Sequence, residues 1–247
     1  MEVDYDVDGG VATITIDAPG RRNAMTLDLV AALVASFDRA AGDPSIGAVV
    51  LRSEGTTFCS GADLALIRAA LPDPLAPEAF DGLGSIYELF KTIVACPVPT
   101  IVAIQGPAVG AGVNLALACD VRIVSENAEL AGFGRAGVHP GGGHFELLRS
   151  VDRQVAVWLA VCNQVLRGED LVRAGVAISM APAETLDAEV QRVAKAAAHD
   201  PALSRAQTAT FRAIDGGVAR HAAAVQMERA PQIWSLRRLH DQAAGSR

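Results

Sequence analysis

The chain has 247 residues, 51% of them apolar, with a formal net charge of −7. That length buries a substantial core, and the acidic balance excludes a surface that gathers nucleic acid by bulk charge, so an anionic ligand must be held by local arginines or helix N-termini. No apolar run reaches the roughly 18 to 20 uncharged residues of a bilayer-spanning helix, and the start MEVDYDVDGG lacks the basic and apolar segments of a signal peptide, which predicts a cytoplasmic protein without membrane or nucleic-acid partners.

In chain order, residues 3–7 and 11–16 alternate apolar and polar side chains around Asp8-Gly9-Gly10, the pattern of a hairpin closed by a Gly-containing turn. Thr26 is placed to cap a helix whose apolar positions Leu27, Val30, Leu33, Val34, Phe37 and Ala41 follow the helical period. That helix ends near Gly42-Asp43-Pro44. The run 48–51 predicts a strand, 54–61 a loop, and Asp63 or Leu64 the start of a helix. A Pro-rich loop over 71–77 follows, described by its composition as mobile, and then a second unit: helix 80–95, strand 100–104, loop 106–110, helix 112–118 and strand 121–124. After a strand at 176–180, the segments 185–198, 201–214 and 218–229 carry Ala-rich helical patterns divided by Asp200-Pro201 and Gly216-Gly217. The expectation is an α/β core of stacked ββα units over 1–182 and an all-helical region over 183–247. Cys59, Cys96, Cys119 and Cys162 lack C-x-x-C spacing and sit among small or apolar neighbours, which suits reduced thiols rather than a metal site.

Two loop-to-helix junctions carry the chemistry: Phe58-Cys59-Ser60-Gly61-Ala62-Asp63-Leu64 and Gly106-Pro107-Ala108-Val109-Gly110-Ala111-Gly112. Each places small residues where a helix begins. The first N–H groups of a helix lack internal partners and point outward with the positive end of the dipole. Taken singly, either junction reads as a Gly-rich turn that packs a strand tightly on a helix. A converging pair makes an oxyanion hole.

With Arg22-Asn23-Ala24 before them and Cys119-Asp120 after, these motifs resemble the enoyl-CoA hydratase/isomerase superfamily, the crotonases, in order and spacing over roughly residues 3 to 230. The resemblance implies a ClpP/crotonase-like fold, with oxyanion donors at the backbone N–H groups of Ala62 and Ala111. It implies coenzyme A contacts at Arg21, Arg22 and Ala24 and along Ser60, Gly61, Ala62, Asp63 and Leu64, with Gly110 and Phe133 beside the acyl group. It further implies that coenzyme A enters as part of an acyl-CoA thioester, with no separate cofactor or metal, in a homotrimer or dimer of trimers serving fatty acid metabolism.

The family's hydratases activate water with two glutamates. Here Asn114 stands at the first position, and the second falls on Phe133 or Gly134, depending on the direction of counting. Neither an amide nor a phenyl ring exchanges protons near neutral pH. Three readings stay open: thioester processing without ordinary hydration, an isomerase or hydrolase with another proton-transfer residue, and a non-catalytic acyl-CoA-binding protein. His144 is the candidate proton carrier, ahead of His139 and Glu146, while His199, His221 and His240 are expected in solvent. Asp63 reads as a helix cap, Cys59 as a packed thiol, and Trp234 as packing against a helix or across a subunit interface.

Overall fold

A computed structural model describes residues 2–133 and 137–245. Gly134, one of the two positions counted for the second glutamate, lies outside the described residues. Strands β1 (Val3–Asp8) and β2 (Val11–Ile16) form the antiparallel hairpin, and β3 (Ala48–Ser53), β4 (Thr100–Ile104), β6 (Val121–Val124) and β9 (Ser179–Met180) extend it in parallel, in the order β1-β2-β3-β4-β6-β9. A second sheet is built from β5 (Pro107–Val109), β7 (Glu129–Ala131) and β8 (Val165–Arg167).

Both faces of the large sheet are covered, which is why its central strands read as continuous apolar runs. Val49, Leu51, Val102 and Ile104 point into the main core with α1 (Leu27–Gly42), α3 (Pro77–Val94) and α4 (Ala111–Ala118). The alternate residues Ala48, Val50, Ile101 and Ala103 meet Leu186, Val190 and Ala194 of α8 (Leu186–Ala198). Burying a Val or Leu side chain completely is worth roughly 1.5 to 3 kcal/mol, so this alternation locks the register of β3 and β4 from both sides. Thr26 caps α1 by accepting the Leu29 N–H at 3.2 Å. The buried stripe is Leu29, Val30, Leu33, Phe37 and Ala40; Leu27, in the first turn, is exposed, and Ala41 is only partly buried.

Helix α2 (Leu64–Ala70) is short, and residues 71–76 turn from it into α3. The region after β6 holds α5 (His144–Leu148), which carries Glu146, and elements that the sequence pattern did not reveal: β7, β8, α6 (Arg153–Ala160) and α7 (Gly168–Arg173). The strand expected at 176–180 is reduced to the two residues of β9 at the sheet edge. At the C-terminal end, α9 (Pro201–Asp215) is capped by Asp200, which accepts the Leu203 N–H at 3.0 Å, and α10 (Gly217–Gly245) runs against α3 and α5. Among the described residues no helix is long and apolar enough to cross a membrane.

Candidate active site

Three loops are fastened together by main-chain pairing. The Ser60 N–H donates to the Arg22 carbonyl (3.0 Å), Met25 N–H to the Gly61 carbonyl (2.8 Å) and Asp63 N–H to the Met25 carbonyl (3.0 Å). On the other side of the same segment, Cys59 N–H donates to the Pro107 carbonyl (3.2 Å) and Val109 N–H to the Cys59 carbonyl (2.9 Å). Asn23, fully buried, fixes the loops by side chain: Oδ1 accepts from Ala18 N–H, and Nδ2 donates to the carbonyls of Glu54 and Thr57 at 2.9 and 2.7 Å. Its left-handed φ of 54° is one that asparagine tolerates better than most residues.

Among the N–H groups that this pairing leaves over are those of Ala62 and Ala111. Ala62 sits between the paired residues Gly61 and Asp63, and Ala111 is the first residue of α4; among the described residues no acceptor meets either N–H. The junctions are close, since a methyl group on Gly61 would lie 3.3 Å from the Ala111 nitrogen. Close approach also explains Gly112, where a methyl group would stand 2.3 Å from the Cys59 carbonyl oxygen. Neither Ala62 nor Ala111 has positive φ, so an alanine at 111 costs the backbone nothing.

Both N–H-bearing residues line a cavity of about 250 Å³. Ser60, Gly61, Leu64 and Gly110 share that lining, and its apolar wall includes Ile67, Leu83, Ile86, Phe90, Phe133 and Val138. Among the described lining residues there is no carboxylate, histidine, lysine or arginine. The polar side chains are Ser60, Tyr87 and Gln232.

Asn114 and His144 do not reach this surface. Both are fully buried and absent from the lining, and His144 packs edge-on against the Phe133 ring with centroids 5.0 Å apart. The candidate proton carrier His144 therefore stands next to the cavity and off its surface, in contact with Phe133, which lines it. Asn114 Nδ2 donates to the Gly141 carbonyl at 2.9 Å, which turns Oδ1 toward His144 Nδ1 at 2.6 Å. Since Oδ1 only accepts, the imidazole proton sits on Nδ1 and Nε2 carries the lone pair; no described partner meets Nε2. Burial, with a smaller contribution from nearby His139, pushes the His144 pKa down to about 3 and keeps the ring neutral.

Two buried groups behind this wall had no distinctive sequence signal. Glu228 of α10 accepts three N–H groups at the start of α5: Gly143 and His144 on Oε2 (2.7 and 3.0 Å) and Phe145 on Oε1 (2.9 Å). Burial raises its pKa against the lowering effect of those donors. His221, expected in solvent, is buried against Gly143, whose added methyl would meet the ring at 2.4 Å. Its place in the helical tail suggests solvent, but α10 packs against α5. His199 and His240 are exposed as expected.

The remaining sequence candidates divide. Arg21 is occupied by an ion pair with Glu2, whereas Arg22 is exposed with no partner among the described residues. Ala24 is buried beneath that loop, and Asp63 caps α2 by accepting the Ala65 N–H at 2.7 Å. None of these four lines the cavity, nor do residues 71–76. Cys59 is fully buried and its thiol is pushed up to about 12 by desolvation, so it is inert as a nucleophile at neutral pH. Asp120 of the Cys119-Asp120 pair holds Thr100 and Arg212, tying β4 to α9. Glu146 pairs with Arg220 and Arg149, and the His139 N–H donates to Ser235 Oγ. Trp234 is exposed, with Arg238 over its ring.

Stacked ββα units carrying two small-residue junctions over an apolar cavity define a protein of the crotonase class. The family model described as Enoyl-CoA hydratase/isomerase matches residues 6–229. A Mycobacterium tuberculosis protein named "Probable enoyl-CoA hydratase EchA14" is 39% identical over 236 residues, covering 93% of this chain and 90% of that one. A Rhodobacter capsulatus protein named "Probable enoyl-CoA hydratase" is 35% identical over 213 residues, covering 85% and 78%. Among solved structures, an enoyl-CoA hydratase from Mycobacterium avium subsp. paratuberculosis superposes with a TM-score of 0.80 at 28% identity, covering 96% of this chain and 90% of that one. One from Bacillus halodurans gives a TM-score of 0.88 at 21% identity, covering 97% of each, a likeness of fold. This chain belongs to the enoyl-CoA hydratase/isomerase family.

Proposed function

We propose that the chain binds an acyl-CoA thioester with its carbonyl between the Ala62 and Ala111 N–H groups, stabilises negative charge on that oxygen, and does not carry out ordinary enoyl-CoA hydration. The observation that carries this reading is the pair of unpartnered N–H groups opening on a cavity whose described lining holds no carboxylate. Donors fixed in place before the substrate arrives cost no reorganisation, and each contributes about 3 to 4 kcal/mol to an enolate-like transition state in related oxyanion holes. Water addition across the double bond needs a base and an acid near the bound alkene; Asn114 and Phe133 supply neither. Arg22 is the cation nearest in sequence to the paired loops that remains free for a coenzyme A phosphate. In this reading coenzyme A is part of the substrate, no further cofactor is used, and the working form is a cytoplasmic homotrimer or dimer of trimers.

Hydration assays with crotonyl-CoA and longer enoyl-CoAs, beside calorimetric titration with the corresponding saturated acyl-CoAs, test this directly. Binding without hydration supports it; hydration at rates typical of enzymes, or no binding of any thioester, overturns it.

A second reading is favoured by one observation, the lone pair on His144 Nε2 held in place by Asn114. If binding brings a substrate within reach of that nitrogen, it becomes a base for isomerisation or hydrolysis. His144→Gln should then abolish turnover of a substrate while leaving acyl-CoA affinity unchanged; unaltered turnover removes His144 from the mechanism.

A further inference from the structure

The described cavity lining is apolar apart from Ser60 and one side-chain pair. Tyr87 of α3 donates its O–H to Oε1 of Gln232 on α10, and the two residues are only 7% and 5% exposed. The pair is seated tightly against main chain: a methyl group on Gly141 would lie 2.5 Å from Gln232 Nε2 and 2.6 Å from the Tyr87 oxygen. Desolvation pushes the Tyr87 pKa up to about 12, so the phenol keeps its proton and the amide keeps its orientation.

With Oε1 engaged, Nε2 is the donor the Gln232 amide has left, and among the described residues no hydrogen-bond acceptor meets it. The two residues belong to the cavity wall. A hydrocarbon chain filling this space would cover a donor and give it nothing to bond, whereas an oxygen at that point would satisfy it. No charged side chain shares the described lining, and the Arg229 guanidinium beside Tyr87 is engaged by the Phe80 ring and carbonyl, which favours a neutral oxygen over a carboxylate.

Resting on the acyl-CoA reading above, we infer that Gln232 is a specificity-determining residue. Its Nε2 donates to a neutral oxygen on the acyl chain, so that the site selects keto- or hydroxy-substituted acyl thioesters over plain alkyl ones of equal length. Tyr87 acts as the positioning residue that holds the amide in this orientation. Sites built to hydrogen-bond a substrate oxygen discriminate strongly against analogues lacking it.

The test is calorimetric titration of the full chain with matched pairs: butanoyl-CoA against its 3- and 4-hydroxy derivatives, and hexanoyl-CoA against its 3- and 5-oxo derivatives. At least one oxygenated ligand should bind about tenfold or more tightly than its alkyl partner. Gln232→Leu should abolish that preference by weakening the oxygenated ligand alone, and Tyr87→Phe should reduce it. The comparison on the unaltered protein stands even if a variant fails to fold. Equal or tighter binding of every alkyl partner overturns the inference and leaves the acyl-CoA reading intact. A preference that survives in folded Gln232→Leu overturns the assignment to Gln232. Failure of all the thioesters to bind overturns the reading on which the inference rests.

Discussion

At the junctions over residues 58–64 and 106–112 the groups available to a ligand are main-chain N–H groups, and the side chains around them are mostly small. Behind Phe133 the arrangement is reversed: Asn114, His144 and Glu228 are side chains whose hydrogen bonds are spent largely on one another and on the backbone. A main-chain donor survives any substitution that leaves the backbone in place, and alanine serves at 62 and 111. A proton-transfer side chain is lost in a single step, and asparagine and phenylalanine stand where the resemblance calls for carboxylates. On the proposed reading, polarising a carbonyl and moving a proton are separable properties of this fold.

The largest expected effect comes from closing the gap between the junctions. Gly112→Ala puts a methyl 2.3 Å from the Cys59 carbonyl oxygen, a main-chain atom that cannot step aside. Urea unfolding should show a loss of about 3 kcal/mol or more, with acyl-CoA binding lost as well. If both are retained, the junctions are less rigid than their pairing implies. Next, Glu228→Ala removes the acceptor for the N–H groups of Gly143, His144 and Phe145 at the start of α5 and should cost about 3 kcal/mol. Because Glu228 does not line the cavity, the folded variant should retain acyl-CoA affinity within about threefold, which separates the two regions in one measurement.

The pH dependence of the rear wall has a definite sign. His144 keeps a folded pKa of about 3, below the ordinary 6.5, so between those values the unfolded chain takes up a proton that the folded chain refuses. Its contribution is fully present above about pH 6.5 and is lost as pH falls toward 3, amounting to about 2 to 3 kcal/mol by pH 4.5. His221, also depressed by burial, acts in the same sense; Glu228, raised by burial, acts in the opposite one, its folded form binding a proton more readily as pH falls. Comparing the unaltered protein with His144→Gln between pH 7 and 4.5 isolates the first term. An unchanged slope would mean that the imidazole is not held neutral.

The same contrast decides what could be read from the sequence. The hairpin, β3, β4, α4 and the three C-terminal helices announce themselves by period or by caps such as Thr26 and Asp200. The junctions were legible because close packing demands glycine and alanine in a short contiguous string. The strands β5, β7 and β8 were not, since three residues are too few to show a period of two. Nor were Glu228 and His221, which meet α5 only through contacts some eighty residues apart in sequence. Gln232 and Tyr87 fall on ordinary helical positions, and their pairing across 145 residues leaves no local trace.

Two smaller effects probe the cavity side. Ala111→Pro deletes one N–H donor at the first position of α4, where proline is tolerated because that N–H has no helical partner. Acyl-CoA affinity should fall about tenfold, and the infrared stretch of the bound thioester carbonyl should return toward its value in water. An unshifted stretch in the unaltered protein would remove the polarised carbonyl from the mechanism.

The smallest effect is at the surface. Arg22→Ala deletes an exposed guanidinium and should weaken coenzyme A binding only about two- to fivefold, because a solvated ion pair is worth about 1 kcal/mol or less. That loss should vanish at high salt, where exposed charges are screened. Arg21→Ala should cost still less affinity, since Glu2 already neutralises that guanidinium. Glu2→Gln supplies the complementary arm: releasing Arg21 should tighten binding at low salt. Equal effects of the two arginine substitutions would mean that the Glu2 pair opens when ligand arrives, and that the surface adapts to the ligand while the junctions stay fixed.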